Sequence, residues 1–210
     1  MTMRIHGGRL SFCLLAGLLW PAAAGALPLI SEVLYDAAGS DDGYGFVELY
    51  GTPGEALDGL TLEGINGANG AAGPVIALSG VIPDDGLFVV ADRTGAGTTF
   101  VAEADLLANF DFQNGPDSVV LRRDGEVLDA LGYGVFGAGE VFAGESAPAP
   151  DAAPGESLAR HFANVDSGDN AADFGVLASP TPGSAPVQAV PEPALAWLLA
   201  ASAWRVWRRG

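Results

Sequence analysis

The chain has 210 residues, room for one domain of ordinary size with processing segments at its two ends, so two domains are not expected. Its 30 glycines and 14 prolines suit many short strands rather than helices, and 49% hydrophobic residues argue against a disordered chain. A net charge of -17 with no lysine argues against binding nucleic acid phosphates and leaves two readings, attraction of divalent cations or basic partners, or plain solubility.

Residues 1–26 are expected to be a secretory signal. Arg4 and Arg9 supply the positive start, LSFCLLAGLLW the apolar run, and Ala24-Gly25-Ala26 the small-residue cleavage site, with a cut after Ala24 as the alternative. The competing reading is a retained N-terminal anchor. Cys13, the single cysteine, falls inside this leader, so the mature chain is expected to hold no disulfide and no thiol chemistry. Phe12 precedes it where a lipoprotein signal would have a small residue.

From Leu29 to Tyr50 the chain reads LISEVLY, then DAAGSDDGYG, then FVELY, which predicts two strands around an acidic glycine loop, with Glu32 and Glu48 inside the strands. Short apolar runs follow at Leu60–Gly64, Val75–Gly80 and Leu87–Asp92. Between the first two of these, Gly64, Gly67, Gly70 and Gly73 recur every third residue without the prolines of a triple helix, so a long flexible loop is expected there. Val101 to Phe110 is expected to make a helical turn or two. Asp124-Gly125, between the apolar arms of Ser118–Gly134, is a strong hairpin signal because both central positions of that turn favour positive φ. Its first arm should expose Arg122 or Arg123. The Ala, Pro and Gly run from Ala143 to Pro154 predicts an extended surface loop.

The opening strand pair, the hairpin and the closing stretch Gly155–Pro186 together resemble a bacterial lamin tail domain. The closing elements are Ser157-Leu158-Ala159-Arg160, Asp169-Asn170, Asp173-Phe174 and Pro180-Thr181-Pro182-Gly183. The resemblance covers most of residues 29–183 and implies an all-β, immunoglobulin-like β-sandwich with Leu158 and Phe174 as buried anchors. Asp and Asn side chains of the closing stretch would satisfy turn amides. A linker, residues 184–189, follows.

Residues 190–210 carry Val190-Pro191-Glu192-Pro193, then the apolar ALAWLLAASAW, then a basic end with Arg205, Arg208 and Arg209. This order resembles the PEP-CTERM sorting signal. It implies a short transmembrane helix, an exosortase-type sorting enzyme as partner and transient residence in the membrane, with an ordinary tail anchor as the alternative. By the positive-inside rule the arginines would form a stop-transfer end; the apolar stretch from Ala194 to Trp204 is shorter than the roughly 20 residues that span a bilayer, so Arg205 would have to snorkel. With both ends set aside, Arg93, Arg122, Arg123 and Arg160 face every acid of the chain except Glu192.

No catalytic constellation emerges. His161 is the one histidine outside the leader, and neither Ser146 nor Ser157 has the glycine two residues on that a nucleophile elbow requires. For the acids, capped turns and solvated loops are the first account and calcium is the sharper alternative. Asp36, Asp41 and Asp42 in the first loop, or Asp166, Asp169, Asn170 and Asp173 in the last, offer oxygen ligands for a hard cation, although neither set follows the EF-hand spacing. The combined expectation is a non-enzymatic module, exported through the inner membrane and sorted to the cell surface or extracellular matrix, there to meet a surface polysaccharide or protein partner. The alternative is an accessory module to, or remnant of, a secreted hydrolase of the nuclease-associated kind.

Overall fold

The structure is a computed structural model that describes residues 27–189. The expected leader, residues 1–26, lies outside the described residues. The elements in chain order are β1 (Leu29–Leu34), β2 (Phe46–Tyr50), β3 (Leu60–Asn66), β4 (Ala72–Ala77), β5 (Leu87–Asp92), β6 (Ala104–Ala108), β7 (Asp117–Arg123), β8 (Glu126–Tyr133), β9 (Ser157–Arg160), the single-turn helix α1 (Asn170–Asp173) and β10 (Phe174–Leu177). They build two sheets, one ordered β10-β9-β1-β2-β5-β6 and the other β4-β3-β7-β8. The fold is therefore all-β in two layers, as the short turn-punctuated apolar runs predict.

Period-two alternation decides which side chains fill the space between the layers. Ile30, Val33, Val47, Leu49, Phe88 and Val90 of the larger sheet meet Leu60, Leu62, Val119, Leu121 and Leu131 of the smaller one in a single buried cluster. Leu158 and Phe174 join it, at 0% and 2% exposure, in the anchoring positions expected of them. Each such side chain contributes about 1.5–3 kcal/mol relative to exposure, so this cluster carries most of the driving force. The alternate residues Leu34, Phe46 and Val89 form a smaller buried cluster with Val101, on the face of the larger sheet turned away from that core.

The expected hairpin is present between β7 and β8, paired from Asp117↔Tyr133 to Arg123↔Glu126. Asp124 and Gly125 have φ of 51° and 85°, the conformation that a two-residue turn of this hand demands. Arg122 and Arg123 are half-buried in the first arm, paired with Glu63 at 2.7 Å and Glu55 at 3.4 Å.

Three expectations are corrected. Val101–Phe110 holds no helix, because β6 lies along β5 as a parallel edge strand, and Asp105 accepts the Val89 amide at 2.8 Å. A segment this short gains too little from an isolated turn, whereas a sheet edge satisfies its backbone directly. The glycine run is not a long loop, since Gly64 lies in β3 and Gly73 in β4, with a tight turn between Asn66 and Ala71. Its glycines serve close approach: a Cβ on Gly64 would come within 2.9 Å of the Phe112 ring. Finally, Ala143–Pro154 is extended but not merely superficial. Ala149 bridges to Tyr133 and, with Ala152, is buried at 1% and 7% exposure, where small side chains let the backbone close one end of the core.

Candidate functional site

Glu32 on β1 and Glu48 on β2 stand directly opposite one another in the strand register. The register shifts between Ile30 and Glu32, so β1 carries Ser31 as an extra residue, and this bulge turns the Ser31 hydroxyl toward Glu48 at 2.9 Å. Glu48 lies two residues from Phe46, on the outer face of the larger sheet, yet Glu32 and Glu48 are only 1% and 0% exposed. What covers them is the chain after β10, residues 178–189, which crosses this outer face as a strap.

The strap is fastened by these two carboxylates. The Thr181 amide donates to Glu32 Oε1 at 3.0 Å and the Thr181 hydroxyl to Oε2 at 2.9 Å. The Gly183 amide donates to Glu48 Oε2 at 2.7 Å, and the Ser157 hydroxyl adds a bond to Glu32 Oε1 at 2.6 Å. Farther along, the Ala163 amide donates to the Pro186 carbonyl at 2.8 Å, and Asn164 exchanges two bonds with the backbone of Gln188 at 2.7 and 2.8 Å. Among the described residues no arginine pairs with Glu32 or Glu48. Burial, with lesser contributions from the nearby Glu32 and Asp85, pushes the Glu48 carboxyl up to about 7 against the opposing bonds from Ser31 and Gly183.

Open space lies along both margins of the strap. A cavity of about 220 Å³ beside β9 and β10 is lined by Glu32, His161, Thr181 and Pro186 among others. A second, of about 240 Å³, is lined on the other side by Asp85, Glu103, Asp105 and Gly183. His161 is thus brought to the margin of the carboxylate site.

The acids of the last loop gather elsewhere, around the buried guanidinium of Arg160. Arg160 Nη2 donates to both oxygens of Asp129 at 2.7 and 2.9 Å, and Nη1 to Asp173 at 2.8 Å and to Asp166 at 3.5 Å. The guanidinium also lies 4.6 Å above the Phe174 ring. Asp173 takes two more bonds from Ser167, which together with Arg160 outweigh its burial and hold its carboxyl below the usual range. Asp169 is turned away and caps α1 through the Ala171 amide. Asn170 is fully buried, accepting from Gly132 and Glu145 and donating to Ala130. The turn-satisfying roles expected of Asp169 and Asn170 are those observed. For Asp166 and Asp173, a positive charge is already present in the guanidinium of Arg160.

Asp129 and Glu145, which no sequence motif singles out, complete this cluster. Asp129, Glu145 and Asp166 place carboxylate oxygens within 4.8 Å of one another. Burial and the charges of Asp129 and Asp166 push Glu145 up to about 7, and its buried Oε2 has no hydrogen-bond partner among the described residues. The legible signal was an acid inside the apolar arm LDALGY, which needs a cation if it points inward.

In the first loop, Asp41 and Asp42 share a shallow cavity of about 150 Å³ with Asp92, Asn109 and Asp111, and Asp36 is not part of its lining. Asp41 accepts the Ala37 amide at 2.6 Å, and Asp92 accepts the amides of Gly43 and Phe110 at 2.7 and 3.0 Å. The sorting residues Val190, Pro191, Glu192 and Pro193 and the basic Arg205, Arg208 and Arg209 lie outside the described residues. Among the described residues no helix is long and apolar enough to cross a membrane.

Comparison of the chain with protein-family models, with curated proteins and with solved structures finds no match.

Proposed function

We propose that this chain is a non-enzymatic binding or structural module, an immunoglobulin-like sandwich of the lamin tail type, delivered to the cell surface or extracellular matrix by an exosortase-type sorting enzyme acting on residues 190–210. The observation that carries this reading is how the buried polar side chains are used. Glu32, Glu48, Asp129, Asn170 and Asp173 each bond to another part of the fold, and the serine hydroxyls that reach Glu48 and Glu32, those of Ser31 and Ser157, are as buried as the carboxylates they bond. The chemistry of the interior serves to hold the module, and recognition is left to its surface.

That surface is acidic: of the four arginines among the described residues Arg160 is buried against Asp129, and Arg122 and Arg123 are paired with Glu63 and Glu55. A partner is therefore a basic protein segment or a hydroxyl-rich surface polysaccharide, and nucleic acid is disfavoured by charge. The tail, with prolines ahead of an apolar segment and arginines after it, would pause in the membrane while the sandwich stands outside.

The test is fractionation of a host that makes the full chain. Pro191→Ala with Pro193→Ala is expected to leave the sandwich folded and hold the protein in the membrane fraction, whereas the parent chain is released from it. Normal release of the double variant sinks the sorting assignment. Separately, reproducible hydrolysis of a polymer by the purified protein, abolished by one carboxylate substitution, would replace the binding reading with an enzymatic one.

A further inference from the structure

We propose that residues 178–189 are a releasable latch. While seated on Glu32 and Glu48 they keep the chain that leads to the sorting motif tied to the sandwich, and they release it as the medium turns from acid to alkaline. The proposal rests on the reading of residues 190–193 as a sorting motif and adds to it a device that governs access to that motif.

The geometry makes the strap separable from the core. Its attachment to the β1–β2 pair consists of hydrogen bonds from Thr181 and Gly183 to two carboxylates, with none of the large apolar anchors of the inter-sheet cluster in the Thr181–Gly183 stretch. Cavities flank it on both sides, so water reaches the carboxylates as soon as the strap lifts. Its last anchor is the Asn164–Gln188 exchange, two residues before Val190. A seated strap therefore leaves almost no free chain ahead of the sorting motif. A lifted one adds the whole of residues 178–189 as tether, on the order of 3.3 Å of reach per residue.

The site also carries its own reason to open. Glu32 and Glu48 are opposed across β1 and β2, so their carboxylates share one desolvated patch. Asp85 approaches from the turn before β5, while Glu103 and Asp105, from β6 and the loop ahead of it, line the margin at Gly183. His161 at the end of β9 lines the opposite margin. Arg160 also lines that margin, but its guanidinium is taken up by Asp129 and Asp173, and the carboxylates nearest Glu48 are Glu32 and Asp85, so ionising Glu48 adds like charge to a buried patch and lifting the strap hydrates it. Glu48 is raised to about 7 when seated and returns toward the ordinary glutamate range when exposed. Seating therefore binds a proton: the latch is firmest below the ordinary glutamate range and loosens as pH rises through about 7. Within that window, uptake of one proton changes the opening equilibrium by up to about tenfold per pH unit.

Hydrogen–deuterium exchange of the full-length protein tests the latch without any sorting enzyme. Protection of Thr181 and Gly183, taken relative to an unstructured peptide of the same sequence at each pH, is expected to fall from pH 5 to pH 8 while amides of the β1–β2 and β7–β8 ladders hold theirs. Glu48→Gln, which stays neutral and still accepts the Gly183 amide, should keep the strap protected across this range. Thr181→Val, which removes a strap donor and no core contact, should leave it open at both ends of it. Strap protection independent of pH in the parent chain, or lost only together with the ladder amides, overturns the latch. In the host, Thr181→Val should speed and Glu48→Gln slow tail processing at pH 8. Equal processing rates with the expected exchange behaviour overturn the access role. Failure of the sorting reading itself registers separately, in the Pro191/Pro193 double variant.

Discussion

Arg160 on β9 and Asp129 on β8 form a two-pronged ion pair at 2.7 and 2.9 Å, with both side chains wholly removed from solvent. The pair joins the larger sheet to the smaller one, and Asp129 Oδ2 also accepts the Ile30 amide at 2.6 Å. One carboxylate thereby ties together β1, β8 and β9.

Removing the guanidinium alone leaves Asp129 buried without its counter-charge. Arg160→Met is expected to cost about 3–5 kcal/mol of unfolding free energy, measured by urea denaturation. Arg160→Met with Asp129→Leu should recover most of that loss, because an apolar pair of similar volume needs no charge compensation. A single variant that loses less than about 1 kcal/mol would show that solvent reaches Asp129 and that the two sheets are not held at this point.

Stability is expected to fall as pH rises from 5.5 to 8. Glu145 has a carboxyl raised to about 7 by burial and by Asp129 and Asp166, so its favourable contribution is complete below the ordinary glutamate range and disappears as pH passes through about 7. Glu48 acts in the same direction. Thermal midpoints at the two pH values should differ by a few degrees, and Glu145→Gln should reduce that difference by raising the midpoint at pH 8 alone. A variant whose midpoint changes equally at both pH values would contradict this account.

Calcium and magnesium are expected to raise the thermal midpoint by equal, small amounts. Arg160 already pairs with Asp166 and Asp173, and Asp169 is committed to the α1 cap, so general screening of an acidic surface is the expected response. A calcium-selective rise that vanishes in Asp41→Asn with Asp42→Asn would instead assign a specific site to the first loop, beside Asp92 and Asp111.

The sequence was legible where structure is set by neighbours along the chain. Asp124-Gly125 dictates its hairpin because the turn needs two positive φ values, and alternation in FVELY identifies a strand before any partner is known. Legibility ended where the deciding partner is remote. Val101–Phe110 contains β6 because β5 offers an edge, and Ala143–Pro154 is drawn inward because the backbone of Gly132 and Gly134 pairs with Ala149. The same holds for the site. Glu32 and Glu48 are plain as acids inside apolar strands, but the residues that use them, Thr181 and Gly183, lie 149 and 135 positions downstream. No local pattern links such positions.

β1 pairs with β2 on one side and β9 on the other, and the chain between β2 and β9 builds the whole of the second sheet. A chain emerging from its N-terminus therefore holds its first strand half-paired until residues 157–160 appear, and leaves Glu32 uncapped until Thr181 follows. Loop closures this long come late in folding. The order of assembly thus runs against the order of synthesis: β1, the first of the described strands to be made, is among the last to be finished.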